Sequence, residues 1–156
     1  MVDWRQLGGL SPPELVSMLL RGLDATMRGL PDEAEDQKLS GLPQPLKVLW
    51  LLDWLDFEVA QGALLAYFLN SHGRHAPQAI EALRVIGAVR MARVLAEASE
   101  LAGADGGLSN ADRMDDLTDA FRAAADEEDW GGKLEAFLSK AVAAAASEPK
   151  SVGGSA

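Results

Sequence analysis

The feature that most constrains this chain is the segment from Leu46 to Leu69, which is apolar around nearly its whole helical circumference. A helix that is hydrophobic on all sides is normally enclosed by other elements, so we expect this one to form the centre of a core. The segment is long enough to cross a bilayer, but its charged residues make insertion too costly: Lys47, Asp53, Asp56 and Glu58. We therefore predict a central buried helix over about 46–69.

The rest of the chain also favours helix, because Ala and Leu dominate it and no stretch alternates cleanly between apolar and polar residues. The predicted fold is all-α, a compact bundle of five or six helices around the central one. Ser11, Pro12 and Glu14 form a capping box at the start of the first helix, which should end near Gly29. The short polar stretch 31–38 fits either a helix or a loop.

Three further boundaries follow from glycine and proline positions. Pro77 opens the third helix, Gly87 separates it from a fourth, and Trp130-Gly131-Gly132 is predicted to interrupt the chain before the last helix. We predict a single domain over 11–146, preceded by an N-terminal extension over 1–10 and followed by a disordered tail over 147–156.

The net charge of the chain excludes some classes of binding partner. The 156 residues include 24 acidic and 14 basic side chains, for a net charge of −10. Such a chain is unsuited to binding nucleic acid or an anionic membrane directly. It has no cysteine, which excludes disulfides and thiolate metal sites, and it begins without a signal-peptide pattern. We expect a cytoplasmic protein.

The charge is concentrated in two stretches. Residues 105–129 hold nine acids and two arginines, a net charge of −7, and residues 31–38 contribute −3, whereas 71–93 is locally +3. An acidic run is usually a solvated face, but carboxylates at helical spacing can also imitate a phosphate array. The candidate partner-binding residues are Asp105, Asp112, Asp115, Asp116, Asp119, Asp126, Glu127, Glu128, Asp129, Asp32, Glu33, Glu35 and Asp36.

Catalytic and cofactor motifs are lacking. His72 and His75 are three residues apart with no third ligand placed in sequence, so we predict no metal. The glycine pairs 8–9, 106–107 and 131–132 do not have the setting of a phosphate-binding loop and are interpreted as turns. We predict no cofactor and no catalytic residue.

The segment Glu58 to Gly73 resembles the signature of the bacterial DNA-mimic protein C-terminal domain family. That signature reads Glu-Val-Asn-Asn-Gly-Gly-Phe, one variable residue, Gln-Tyr-Phe, one variable residue, then Asn-Ser and a glycine soon after. This chain matches at Glu58, Val59, Gly62, Tyr67, Phe68, Asn70, Ser71 and Gly73. It departs at Ala60 and Gln61 for the two asparagines, Ala63 for the second glycine, Leu64 for the phenylalanine and Ala66 for the glutamine.

The resemblance implies an all-α, acidic, dimeric protein that occupies the DNA-binding surface of a transcription factor. The partner would be a DNA-binding protein with a basic surface. We expect the signature residues to be mainly structural: Gly62 would allow close helix approach, Tyr67 and Phe68 would fill the core, and Asn70 and Ser71 would cap the next turn.

Two other functions stay open at this point. An enzyme or small-ligand site would be centred on Glu58, Tyr67, Asn70 and His72, and it would require these residues to converge on an open cleft. If Glu58 is instead buried and bonded to a helix end, that interpretation loses support. The second alternative is a structural module without activity of its own.

Overall fold

A computed structural model describes residues 2–148, and these residues form seven α-helices joined by short turns, with no strand among them. The all-α prediction is confirmed. The helices are α1 (Pro12–Met27), α2 (Asp32–Ser40), α3 (Gln44–Leu69), α4 (Ala76–Ile86), α5 (Val89–Ala102), α6 (Ala111–Glu128) and α7 (Trp130–Ser147).

The first helix begins and ends as its sequence predicts. The Glu14 carboxylate accepts a hydrogen bond from the Ser11 backbone N–H at 2.9 Å, which completes the capping box. One face of α1 is buried through Leu15, Leu19, Leu23 and Met27. Gly29, at φ +79°, follows the helix end.

The acidic stretch near residue 35 is a helix, α2, and accounts for the seventh helix. Asp32, Glu33 and Glu35 lie in its first turn, where negative charge interacts favourably with the positive end of the helix dipole. Lys38 lies in the last turn, where a positive charge is favourable. Charge placement thus stabilises a helix that has little apolar content of its own.

Helix α3 occupies the centre of the bundle, in contact with α1, α4, α5, α6 and α7. Trp50, Leu49, Leu52 and Leu55 on this helix are all at most 2% exposed. It starts at Gln44, slightly before the predicted boundary, because Pro45 is accommodated in its first turn.

The prediction that the glycine pair 131–132 is a turn is wrong. Asp129, at φ +47°, is the N-cap of α7, and its carboxylate accepts a hydrogen bond from the Gly132 backbone N–H at 3.3 Å. Both glycines therefore lie in the first turn of α7, which begins at Trp130 rather than at residue 133. The capping hydrogen bond offsets the low helix propensity of glycine.

Near the chain ends, Leu7 lies in a short 3-10 turn, Trp4–Leu7, that packs against α7 and is buried, although we predicted residues 1–10 to be an extension. Ser147 still belongs to α7, and the remainder of the predicted tail, 149–156, lies outside the described residues. None of the helices in residues 2–148 is both long and apolar enough to span a membrane.

Candidate protein-binding surface

The outward face of α6 carries a row of five exposed aspartates. At about 100° per residue these positions fall within about one third of the helix circumference, along about 21 Å of its axis. No ion pair within the described part of the chain involves any of them. We call this row the α6 stripe: Asp112, Asp115, Asp116, Asp119 and Asp126.

The other acids of 105–129 are used within the fold. Asp105 accepts hydrogen bonds from the backbone N–H groups of Ser109 and Gly107, at 2.9 Å each. The Ser109 side chain, and then these two N–H groups, lower the pKa of Asp105. Glu127 forms an ion pair with Arg90. Asp129 caps α7. These three carboxylates therefore hold turns and helix ends.

Glu128 caps the start of α5. Its two oxygens accept the backbone N–H groups of Arg90 and Met91 at 2.8 and 3.0 Å. Burial acts to raise its pKa, but these two hydrogen bonds and the nearby Lys133 and Arg90 more than compensate, so the pKa is lowered. Both Glu128 oxygens are therefore used to cap the N-terminus of α5.

The α2 acids face a turn that follows α3. Glu35 is 6% exposed, and its oxygens lie 3.6 Å from His72 Nε2 and 3.5 Å from His75 Nε2. Arg74 approaches Asp36 at 2.9 Å and both Asp32 and Glu35 at 3.5 Å, and its hydrogen bond lowers the pKa of Asp36. We call this set the α2 clasp: Asp32, Glu35, Asp36, His72, Arg74 and His75.

This arrangement corrects the sequence prediction for Glu35, whose buried carboxylate is not part of an exposed face. Asp32 and Asp36 are exposed but share Arg74, and only Glu33 of the four is exposed without an ion pair in the described residues. No hydrogen bond or ion pair within residues 2–148 connects α2 to α6. The structure thus assigns most α2 acids to the clasp.

The signature residue Glu58 belongs to a second buried polar group next to the clasp. It is 7% exposed, it accepts a hydrogen bond from Asn70 Nδ2 at 2.5 Å, and its other oxygen lies 3.5 Å from His72 Nδ1. Trp54 stacks on the His72 ring at 3.9 Å between centroids. His72 therefore lies between two carboxylates, Glu58 and Glu35.

Neighbouring signature residues have structural positions. Tyr67 is 1% exposed, and burial together with the nearby Glu58 charge raises the pKa of its hydroxyl. Phe68 is partly buried against the core. Asn70 does not cap the following turn as predicted, because its side chain is bonded to Glu58 instead.

The residues proposed for an enzyme do converge, but on a buried group. The Glu58 oxygens face Asn70 and His72, and Asn70 follows the end of α3, so Glu58 is buried and bonded at a helix end. No group of three or more His, Asp or Glu residues among the described residues could hold a metal ion. The geometry favours a structural role for Glu58.

The family model described as DMP19-like protein matches residues 40–141 of the chain. The chain belongs to the DMP19-like protein family. This match confirms the resemblance to the DNA-mimic family, and it includes the signature, the α6 stripe and the histidines of the clasp. Comparison with the curated proteins and with the solved structures gave no match.

In this DMP19-like chain the signature also marks a break within α3. Gly62 has φ −157°, and Ala63 has φ +70° and ψ −178°, a conformation that is nearly restricted to glycine. Gly62 therefore contributes to a kink, and a Cβ atom there would lie 2.7 Å from the Ala66 Cβ in the part of α3 that follows the break. The family signature has its second glycine at this position, and this chain has Ala63 there instead. The alanine therefore occupies the strained conformation.

Helix α6 satisfies the backbone groups that the break releases. Thr118 Oγ1 accepts a hydrogen bond from the Leu64 N–H at 3.1 Å and donates one to the Met114 carbonyl at 2.9 Å. Arg122 Nη2 donates to the Val59 carbonyl at 3.0 Å. Sequence reasoning missed Thr118 and Arg122; a glycine in the middle of a long helix was the signal that such partners were needed.

A second signature glycine, Gly73, allows the backbone of the following turn to approach α3 closely. A Cβ atom there would lie 2.5 Å from the Tyr67 carbonyl oxygen and 2.8 Å from the Phe68 Cα. The turn after α3 can fold back on the helix only because this side chain is absent. That turn carries both histidines of the clasp.

Proposed function

We propose that this protein is a non-enzymatic DNA mimic whose α6 stripe binds the basic, DNA-contacting surface of a DNA-binding protein. The observation that carries the proposal is the contrast in pairing. Most other acids of the two acidic stretches have a partner within the fold, whereas the five stripe carboxylates are exposed and have no ion pair in the described residues.

The geometry of the stripe supports this function. Residues three or four positions apart on a helix have Cβ atoms about 5–6 Å from each other, so Asp112, Asp115, Asp116 and Asp119 form a closely spaced row of negative charge. A DNA strand presents a comparable row of phosphates to Lys and Arg side chains. Family membership and the net charge of −10 agree with a protein partner and not with direct binding of DNA.

The stripe carboxylates repel one another at i,i+3 and i,i+4 spacing, and a basic partner would relieve that repulsion. Asp112 lies in the first turn of α6, where the helix dipole favours negative charge. Arg113 is directed away from the stripe, toward Glu97 on α5, at 2.5 Å. No Lys or Arg within residues 2–148 forms an ion pair with these carboxylates.

The test begins with affinity capture from a bacterial lysate, identification of the bound proteins, and competition between this protein and duplex DNA for each of them. A DNA-binding protein should be captured at about 50 mM salt and released at about 300 mM, because exposed charge contacts are screened. Duplex DNA and this protein should compete for it.

The stripe is tested by the quadruple variant D112N/D115N/D116N/D119N, which should weaken binding by about tenfold or more while leaving the circular dichroism spectrum unchanged. The matched control is E33Q/E81Q/E100Q/E148Q, which removes the same number of charges at exposed positions elsewhere. Equal loss in both variants would show that total charge, not the stripe, matters. Capture of no DNA-binding protein, or binding insensitive to salt, would contradict the proposal.

A homodimer and a cytoplasmic location stay predictions. Sedimentation equilibrium of the full chain would measure the oligomeric state directly. A dimer would place two stripes on one particle, and a monomer would limit the DNA-like surface to the length of α6.

A further inference from the structure

A groove between α3 and α6 continues from one end of the stripe. Its volume is about 250 Å³, and its walls are mostly apolar, formed by Leu52, Leu55, Val59, Met91 and Phe121, with Trp130 of α7 among the lining residues. The break in α3 lies next to it, because Val59, whose carbonyl binds Arg122, is one of the lining residues. Neither the family match nor the signature assigns this groove a role.

The charged residues of the groove are mainly acidic. Asp56 from α3 and Asp126 from α6 both line it, and burial raises the pKa of Asp56. The third charged residue, Arg122, donates to the Val59 carbonyl at 3.0 Å and keeps its positive charge, so the two aspartates leave the lining with a net charge of about −1. A cation placed between the two aspartates would offset the partial desolvation of Asp56.

The groove and the stripe are continuous because Asp126 belongs to both. A partner lying along α6 would therefore pass its side chains over the mouth of the groove. Lysine combines a four-carbon apolar stem with a compact positive head, and such side chains place the stem on apolar surface and the head in a polar site.

We propose that the groove receives one lysine side chain of the protein bound at the stripe. The stem contacts the walls at Leu55 and Phe121, the ammonium group lies between Asp56 and Asp126, and Trp130 offers an aromatic face. The inference rests on the proposed function for the identity of the partner, but the groove's preference for an alkylammonium group is a property of this chain alone.

The probe is n-butylamine, whose ammonium form reproduces the lysine stem and head, titrated into the ¹⁵N-labelled full chain with n-butanol as the uncharged control. Amide shifts should map to the groove, and butylamine should bind about fivefold tighter than butanol because of the two carboxylates. Equal affinity for the two compounds, shifts elsewhere, or no saturable shifts would overturn the proposal.

Two variants of residues that line the groove test the site itself. Ala60→Phe fills the groove and should abolish the groove shifts for both compounds. Asp56→Asn should remove most of the preference for butylamine while butanol binding persists. Unchanged butylamine binding in both variants would place the compound elsewhere and refute the proposal.

The stripe variant D112N/D115N/D116N/D119N separates this inference from the proposed function, because it retains Asp56 and Asp126. Its butylamine binding should equal that of the unmodified chain. Butylamine binding without any stripe-dependent partner would contradict the DNA-mimic proposal alone, whereas stripe-dependent partner binding without butylamine binding would contradict the groove proposal alone.

Discussion

Helices α2 and α6 are the two acidic helices of this protein, and they use their carboxylates in opposite ways. In α2, Glu35 is buried between two histidines, and Asp32 and Asp36 share Arg74. In α6, five aspartates face outward without an ion pair in the described residues. The two helices look alike in charge density but differ in what lies opposite them.

The difference shows that a local count of acids does not separate structural from interacting carboxylates. The basic stretch 71–93 supplies Arg74 and Arg90, which pair with acids from both acidic stretches. Among the described acids of these two stretches, Glu33 and the α6 stripe remain without an ion pair or a capping hydrogen bond. A carboxylate is available to a partner only when the fold has placed no cation or N–H group next to it.

The largest expected effect is at Glu35, the buried member of the α2 clasp. Glu35→Ala removes a buried carboxylate that accepts a hydrogen bond from Arg74 and lies within 3.6 Å of His72 and His75, and it should lower the free energy of unfolding by about 2 kcal/mol. Urea denaturation of the variant and the unmodified chain measures this change in the free energy of unfolding. The control Glu33→Ala, at an exposed neighbour, should change stability by about 0.5 kcal/mol or less. A similar small change at Glu35 would contradict a structural role for the clasp.

The next effect is at Thr118, on the buried face of α6, and it is compared with Thr26, an exposed threonine of α1. Thr118→Val keeps the side-chain shape but leaves the Leu64 N–H at the α3 break without an acceptor, at a cost of about 1.5 kcal/mol. Hydrogen exchange of the Leu64 amide should accelerate together with the loss of stability. Thr26→Val removes an exposed hydroxyl from α1 and should be nearly neutral; comparable losses in both variants would rule out a special role for Thr118.

A substitution at the α3 break should raise the stability of the protein, in contrast to the two substitutions above. Ala63→Gly relieves a backbone conformation that is unfavourable for alanine and should raise the free energy of unfolding by about 1 kcal/mol. Thermal unfolding measures the change. Ala60→Gly, one turn earlier in regular helix, should be destabilising by about 0.5–1 kcal/mol. Destabilisation by both glycines would show that Ala63 is not strained.

The smallest effect concerns Asp53, a half-buried acid of α3 that belongs to neither acidic helix. Burial, and then repulsion from Asp24 and Asp56, raises its pKa above the usual 3.8. The folded state therefore holds the Asp53 proton more tightly than the unfolded state, so this group's contribution to stability falls as pH rises above about 3.8.

Asp53→Asn should accordingly stabilise the protein at pH 7 by at most about 0.5 kcal/mol, and the difference should vanish near pH 3. Urea denaturation at both pH values of the variant and the unmodified chain measures the change. Asp119→Asn, on the stripe, serves as the control for general charge removal. A destabilising effect of Asp53→Asn at pH 7 would reverse the expected sign.

Local sequence signals predicted most of the fold. The capping box at Ser11, the glycine at 87 and the all-round apolarity of 46–69 each depend on neighbouring residues, and each appears in the structure. The prediction of a turn at the glycine pair 131–132 was wrong because Asp129 caps α7 and compensates for the two glycines. Asp129 does so in a positive-φ conformation, which the sequence does not reveal. The α2 helix was ambiguous because it has little apolar periodicity.

The candidate site was less predictable. The acids of 105–129 were identified as a group, but which of them cap helices, as Glu128 does for α5, depends on residues distant in sequence. Thr118 and Arg122 gave no signal of their own, because their roles come from a break in another helix. The structure was also needed to judge the enzyme alternative, because the sequence does not show that Glu58 is buried.

The sequence by itself determined that the chain is all-α, that it is built around an apolar helix, and that it is an acidic member of a DNA-mimic family. The fold class and the central helix follow from short-range periodicity and capping, the acidity follows from composition, and the family follows from the signature at Glu58 to Gly73 and the family match. Only the tertiary structure decided which carboxylates are internal and which are exposed. Pairing depends on distances between side chains on different helices, and those distances exist only after the helices pack. The net charge of −10 is thus a property of the sequence, but the α6 stripe is a property of the fold.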